Sequence, residues 1–241
     1  MNSCLIVGAG PGLGVALAKK FATEGYNIGL ISREEKNSKQ ALEAAVDCNR
    51  NGKHGFFKAD AREPEKLSEI IEDASTNLGD FSVAIFNARG KFVAKSPLDV
   101  SFNELEDIFN LEVIGAFAMA KAVIPKMIDN KSGTVIFSSA TAAYRGSAGN
   151  PLYSIGKFGL RALSQSLAKA YAKQMIHVAH VRLDCDLNTP FVKEWYGSSF
   201  NSDETANVDD VADNYFMIHK QPRSAWSNEI ELRPYTEAWS F

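Results

Sequence analysis

Cysteine and histidine are scarce in this chain of 241 residues, with three cysteines (Cys4, Cys48, Cys185) and four histidines (His54, His177, His180, His219), all far apart. Three scattered thiols make no disulfide framework, and none of these residues has metal-ligand spacing, so neither a stapled secreted scaffold nor a metal site is expected. Net charge is equally small. The balance of 29 acidic against 26 basic residues leaves −3, which gives no reason to expect nucleic acid or an anionic membrane as partner. The N-terminus lacks the basic, apolar and small-residue succession of a signal peptide, because apolar Cys4-Leu5-Ile6-Val7 begins almost at once. The most apolar long stretch, Val113 to Pro125, is broken by Lys121 and falls short of the roughly 20 residues of a membrane span. These absences lead us to expect a soluble, cytoplasmic protein.

What is present is a repeated alternation. Apolar runs bounded by turn residues (CLIVG, NIGLIS, GFFKAD, SVAIFNA, GTVIFSS, HVAHVRL, with EIELRP near the C-terminus) read as strands. Between them, Leu13 to Glu24, Lys36 to Asn51, Pro64 to Leu78, Phe102 to Asp129 and Tyr153 to Gln174 have helical patterning. Runs without in-out alternation suit strands covered on both faces, hence a parallel sheet of about seven strands with helices on each side. No internal repeat, low-complexity tract or linker divides the chain, so 1–241 reads as one doubly wound α/β domain of the Rossmann type. Ligands of such sheets bind beyond the carboxyl ends of the strands.

The first strand runs into Gly8-Ala-Gly-Pro-Gly-Leu-Gly14 and then an apolar helix. Glycines there let the backbone approach a pyrophosphate lodged at the helix N-terminus. The general GxGxxG fingerprint does not fit, since its third glycine would be Leu13 or Val15, but the spacing Gly8-x3-Gly12-x-Gly14 does. The second strand ends in Ile31-Ser32-Arg33, without the carboxylate that holds an NAD ribose; a serine donor followed by a guanidinium favours NADP over NAD. Glu34 and Glu35 follow, either as a solvated helix start or as charges that weaken this preference.

Tyr153-Ser-Ile-Gly-Lys157 puts a phenol and an ammonium on one helix face, one turn apart. A nearby cation stabilises phenolate, and a phenol that exchanges its proton is what carbonyl reduction needs as hydride reaches the carbon. Upstream, a strand ends in Ser138-Ser139, where one hydroxyl can meet the substrate oxygen.

Taken together, Gly8-x3-Gly12-x-Gly14, Asp60 after the third strand, Asn87-Ala88 after the fourth, Ser139 and Tyr153-x3-Lys157 resemble the short-chain dehydrogenase/reductase family over nearly the whole chain. By that resemblance the turn Gly8, Gly10, Pro11, Gly12, Leu13 and Gly14 holds the pyrophosphate, and Asp60 with Ala61 borders the adenine. Asn87, Ala88 and Gly90 line the cofactor, and Tyr153 is the catalytic acid/base. Lys157 binds the nicotinamide ribose and favours the ionised tyrosine, Ser139 orients the carbonyl, and the substrate is a small-molecule carbonyl compound or alcohol.

Departures from the pattern stand beside these matches. Arg89 interrupts the family's Asn-Ala-Gly, and Ser139 precedes Tyr153 by one residue more than is commonest. Leu183-Asp184-Cys185-Asp186 replaces a Pro-Gly ahead of Thr189-Pro190. That segment, RGSAGNPLYSIGKFGLRALSQSLA and the tail QPRSAWSNEIELRP look like an atypical bacterial subgroup of the family, which often lacks the active-site tyrosine; here Tyr153 is kept.

Glu112 lies on the apolar face of its helix with Leu105, Ile108, Phe109, Ala116 and Met119, where a lone carboxylate is expensive. The family has a catalytic asparagine there, in a pattern like Asn-Val-x-Gly; this chain has Glu112-Val113-Ile114-Gly115. Two readings stand: Glu112 contacts Lys157 directly or through one water and joins the catalytic set, or it is a buried acid with another partner and the enzyme is impaired.

The stretch of about 189–208 is expected to close over substrate, with Phe191, Trp195, Tyr196 and Phe200 as an apolar wall or as ordinary packing. Arg89 and Arg145 either reach an acidic substrate group or are surface charge. Small residues on the two long helices suggest a homodimer or homotetramer, which the family builds from these helices. The aromatic tail in 222–241 (Trp226, Tyr235, Trp239, Phe241) reaches a neighbour or packs at home. An NADP-dependent oxidoreductase is the leading expectation; a weakly active NADP(H)-binding regulatory or partner-binding protein on the same fold is the alternative.

Overall fold

A computed structural model describes residues 2–90 and 92–238. Its centre is a parallel sheet. The strands are β1 (Ser3–Val7), β2 (Asn27–Ser32), β3 (His54–Lys58), β4 (Phe81–Phe86), β5 (Gly133–Ala140) and β6 (Ile176–Leu183). After β6 come β7 (Asp186–Leu187) and β8 (Thr205–Ala206), which pair as a separate ribbon, and β9 (Glu229–Leu232), which completes the main sheet. The order β3-β2-β1-β4-β5-β6-β9 reverses direction at β1, so the ligand crevice of a doubly wound sheet falls where β1 meets β4.

Eight α-helices are formed among the described residues: α1 (Leu13–Thr23), α2 (Glu35–Cys48), α3 (Pro64–Leu78), α4 (Phe102–Phe109), α5 (Gly115–Asp129), α6 (Pro151–Tyr171), α7 (Pro190–Tyr196) and α8 (Val208–His219). One core gathers Leu67, Met119, Phe137 and Leu160 on the α3, α5 and α6 side, and the other gathers Leu17, Leu30, Ile136 and Tyr215 on the α1, α2 and α8 side. Sequence patterning passed over the β7–β8 ribbon and α8. The helix is nonetheless amphipathic, burying Val211, Ala212, Tyr215 and Ile218, and Asn207 caps it by accepting from the Asp209 N–H.

The expected helix over Phe102 to Asp129 is not continuous. Between α4 and α5, residues Asn110–Ile114 form a π turn, whose i→i+5 bonding takes in an extra residue. Phe109, just before the insertion, is 41% exposed, whereas Glu112 within it is wholly buried. Gly115 then starts α5 hard against the β3–α3 loop: a Cβ there would lie 2.3 Å from the Ala61 carbonyl oxygen. Together α4, the π turn and α5 are long and apolar enough to cross a membrane by length and composition, but more than half of the apolar window is buried against the rest of the fold.

Two histidines make this core sensitive to acid. His180 is fully buried on β6, and burial, set only partly against the Glu229 charge, pushes it down to about 4. His219 sits between the Tyr26 hydroxyl at 2.7 Å and the Thr134 hydroxyl at 2.9 Å, and burial again pushes it down to about 4. A depressed pKa means that the unfolded chain binds more protons, so this stability is complete above the ordinary histidine value of about 6.5 and is lost as pH falls through 4. The denaturation midpoint is expected to fall steeply between pH 6.5 and 4. His180→Phe should restore on the order of 2–3 kcal/mol at the acid end, and parallel curves for the two proteins over that window would count against the assignment.

Candidate active site

The glycine turn is built by close approach. Gly8, at φ +89°, lies against the start of the β4 loop, and a Cβ on it would be 2.3 Å from the Ala88 nitrogen. Asn87 ties the two loops, its side-chain amide donating to the Gly8 carbonyl at 3.0 Å while its backbone N–H donates to Val7 at 2.7 Å. Gly12, at φ +93°, precedes α1, and a Cβ there would lie 2.7 Å from Thr189 Cγ2 and fill the gap between turn and loop. Thr189, named from sequence only as the start of the substrate stretch and not as a cofactor residue, therefore faces the cradle. Over Gly10 the same test finds open space. Gly14 packs on Ala9, Pro11 is exposed, and the Leu13 side chain is buried in the core, leaving only its backbone for a ligand.

At the end of β2, the Ser32 hydroxyl donates to the Glu34 carbonyl at 2.9 Å and meets the Ser38 hydroxyl at 2.8 Å, while Arg33 is exposed. The Glu34 carboxylate turns to Lys36 at 2.6 Å, and this partner holds it below the usual carboxylate range. After β3, Asp60 accepts from the Arg62 backbone N–H at 3.0 Å, and the Arg62 guanidinium reaches Asp107 of α4 at 3.1 Å. Ala61 is buried beside it.

The polar heart of the site joins three segments. Tyr153 lies in the first turn of α6, half-buried, with the Lys157 ammonium 5.6 Å from its ring centre. That ammonium donates to Glu112 Oε2 at 2.9 Å and to the Ser138 carbonyl at 3.2 Å. The other Glu112 oxygen accepts from the Gly90 N–H at 2.8 Å. Lys157 is 2% exposed and Glu112 not at all. Burial alone would pull the Lys157 pKa down, but the adjacent Glu112 charge, the Tyr153 phenol and the hydrogen bond to Glu112 outweigh it, so the pKa is raised and the ammonium stays charged. Of the two arrangements expected for Glu112, the direct contact with Lys157 is the one formed. The glycine inside Tyr153-Ser-Ile-Gly-Lys157 makes room for it, since a Cβ on Gly156 would sit 2.9 Å from Glu112 Cγ.

Strand alternation separates the two serines. Val135 and Phe137 face the α5 and α6 core, and Ser139 follows them onto that side. Ser138 faces α8, where its hydroxyl accepts from Tyr215 at 2.9 Å. Ser139 is buried and its hydroxyl has no hydrogen-bond partner among the described residues.

Around this centre, Asp184 accepts from the Thr141 hydroxyl and pairs with Arg233, so the segment replacing Pro-Gly ties the ends of β5, β6 and β9 together. Arg89 and Arg145 are both exposed. In the 189–208 stretch no packed apolar wall forms: α7 buries no residue, and Phe191 and Trp195 touch each other, at 6.1 Å between ring centres, on an exposed face. The Tyr196 hydroxyl donates to Asp186 at 2.8 Å, beside a cavity of about 280 Å³ between this loop and the tail residues Thr236, Glu237 and Ala238. Trp226 packs at home, stacked on His177 at 4.8 Å, whereas Tyr235 is exposed. Trp239 and Phe241 lie outside the described residues.

The family model for short chain dehydrogenase matches residues 2–196. An uncharacterized oxidoreductase of Staphylococcus epidermidis is 22% identical over 230 residues, covering 95% of this chain and 96% of that protein. The crystal structure of a short-chain dehydrogenase from Rhodopseudomonas palustris superposes with a TM-score of 0.82 at 27% identity, covering 98% of this chain and 100% of the other. A metagenomic short-chain oxidoreductase, solved in complex with NADP, shares the fold with a TM-score of 0.82 at 20% identity over 97% of both chains. Sequence kinship over most of the chain and likeness of fold over nearly all of it agree: the chain is an oxidoreductase that belongs to the short-chain dehydrogenase family.

Proposed function

We propose that the protein interconverts an alcohol and a carbonyl compound with NADP, using Tyr153 as acid/base. The observation that carries this reading is the charged, enclosed Lys157 beside the Tyr153 ring, with the buried, unpartnered Ser139 hydroxyl on the α6 side of the sheet. The chain suits a dinucleotide: the gap between Gly12 and Thr189 is one that a single methyl would fill, and the ground over Gly10 is open. When bound, the nicotinamide supplies or takes the hydride. In reduction, Ser139 holds the carbonyl oxygen by a hydrogen bond and Tyr153 delivers the proton to that oxygen. Lys157 stabilises the ionised tyrosine, and Glu112 anchors Lys157 as its counter-ion. Asp60 with Ala61 at the adenine, and Asn87 with Ala88 and Gly90 along the cofactor, complete the pocket.

Exposed Arg33, with Glu34 turned towards Lys36, favours the 2′-phosphate of NADP over NAD, and the metagenomic neighbour's NADP complex accords with this choice. The rival reading, a catalytically weak NADP(H)-binding protein acting in the cytosol through a partner, draws on the same ion pair, because Glu112 offsets charge that would serve Tyr153. NADPH consumption across a panel of ketones, aldehydes and quinones decides between them. Turnover supports the enzyme; calorimetric NADPH binding without turnover on any of them supports the binder.

The exposed Phe102, Phe109 and Phe117 on α4 and α5, with Ile155 and Phe158 on α6, support a homodimer or homotetramer through these helices. Light scattering should give twice or four times 26.3 kDa, and a monomer at micromolar concentration would rule the assembly out.

A further inference from the structure

We propose that Lys58, the last residue of β3, is a second binding residue for the 2′-phosphate of NADP and, with Arg33, sets the preference over NAD. The inference rests on the NADP reading above and adds a residue that its position in sequence does not suggest, since Lys58 precedes Asp60 on a different strand from Arg33.

The sheet brings them together. In the parallel β2–β3 ladder Ser32 lies directly opposite Lys58, so the two residues are neighbours about 5 Å apart at the carboxyl edge. Side chains alternate along a strand. Phe57 packs on the α3 side, which leaves Lys58 on the α2 side, and there the Ser32 hydroxyl meets Ser38 of α2. Lys58 thus emerges opposite Ser32, the residue before Arg33, and both cations act on Glu34 at the start of α2.

Both cations are exposed, and neither makes a side-chain hydrogen bond or ion pair among the described residues. Yet both act on one carboxylate. Glu34 is held low by its hydrogen bond to Lys36 first, and the charges of Arg33 and Lys58 add to that effect. An anion position therefore already exists at this corner, with Arg33, Lys36 and Lys58 set against Glu34 and Glu35. Three cations against two carboxylates leave one positive charge in excess. A ribose hydroxyl gains little from it, whereas a phosphate dianion gains a fork from Arg33 and a point charge from Lys58. Glu34 is then an internal competitor for the same cations.

The test is a fluorescence titration of the intact protein with NADPH and with NADH, for wild type, Lys58→Met, Arg33→Met and Glu34→Gln, each checked by circular dichroism. Lys58→Met should raise the NADPH dissociation constant about tenfold, the loss of one charged phosphate contact, and leave that of NADH unchanged. Glu34→Gln should tighten NADPH alone. An NADPH affinity untouched by Lys58→Met but weakened by Arg33→Met overturns the role of Lys58 and leaves the NADP reading standing. A wild type that takes NADH as tightly as NADPH overturns the NADP reading and the clamp with it.

Discussion

Glu112→Leu should destabilise the fold by about 3–5 kcal/mol, because it strands a buried ammonium without its counter-ion. Both partners are enclosed, and the only other acceptor that Lys157 has among the described side chains and carbonyls is the Ser138 carbonyl at 3.2 Å. The Gly90 N–H also loses its acceptor, which adds an unsatisfied buried donor. A typical domain has about 5–15 kcal/mol in all, so the variant should melt far below wild type. The raised Lys157 pKa gives the sign of the pH dependence: the pair's contribution is complete below the ordinary lysine value and fades only as pH rises through the raised one. In the wild type that contribution should therefore be the same at pH 6 and pH 8. The decisive measurement is a double-mutant cycle. Removing both charges, with Glu112→Leu and Lys157→Met together, should cost less than the sum of the single changes, since a pair replaced by apolar groups leaves nothing uncompensated. Additive losses in urea titrations would mean that the two groups do not interact.

Tyr153→Phe should lower kcat by about 10²–10⁴ while leaving NADPH binding and thermal stability near wild type. The separation of effects follows from the geometry. The phenol oxygen makes no hydrogen bond among the described side chains, so its removal orphans no buried group, and the ring remains beside Lys157. What disappears is the proton donor for the substrate oxygen. Ser139→Ala should fall in the same direction, since its buried hydroxyl is committed to no other partner, whereas Ser138→Ala acts on the Tyr215 contact behind the sheet and should be felt first in stability. Activity that survives Tyr153→Phe would remove the assigned mechanism. A variant that fails to bind NADPH would instead mean that the Tyr153 hydroxyl itself takes part in holding the cofactor.

These variants also mark how far reading along the chain could reach. The glycine turn, the end of β2 and the Tyr153–Lys157 pair each lie within one strand–turn–helix unit, where helical and strand periods alone put residues side by side. Glu112 was suspect for a local reason as well, being a carboxylate on an apolar stripe. Its two contacts were not local. They depend on a π turn with no plain signature in Asn110-Leu-Glu-Val-Ile114, and on the small Gly156 opposite. Phe109, placed inward by an unbroken helical period, is instead 41% exposed. The substrate-side aromatics show the converse. Phe191 and Trp195 read as wall or packing alike because residue type says nothing of which partner covers them, and α7 leaves them exposed.

From composition and spacing alone came the α/β alternation, the order of the elements and the kinds of chemistry at the strand ends, because these follow from short repeating periods and turn residues. Which serine hydroxyl is taken up by Tyr215 and which is left without a partner, how Glu112 divides its two oxygens between Lys157 and Gly90, and the approach of Thr189 to Gly12 came only with the folded chain. Each depends on segments distant in sequence, 45 residues apart for Glu112 and Lys157 and 77 for Ser138 and Tyr215, meeting at ångström separations set by sheet register and one irregular turn. Hydrogen bonding and charge pairing are decided at that distance scale, and no periodicity along a chain encodes it.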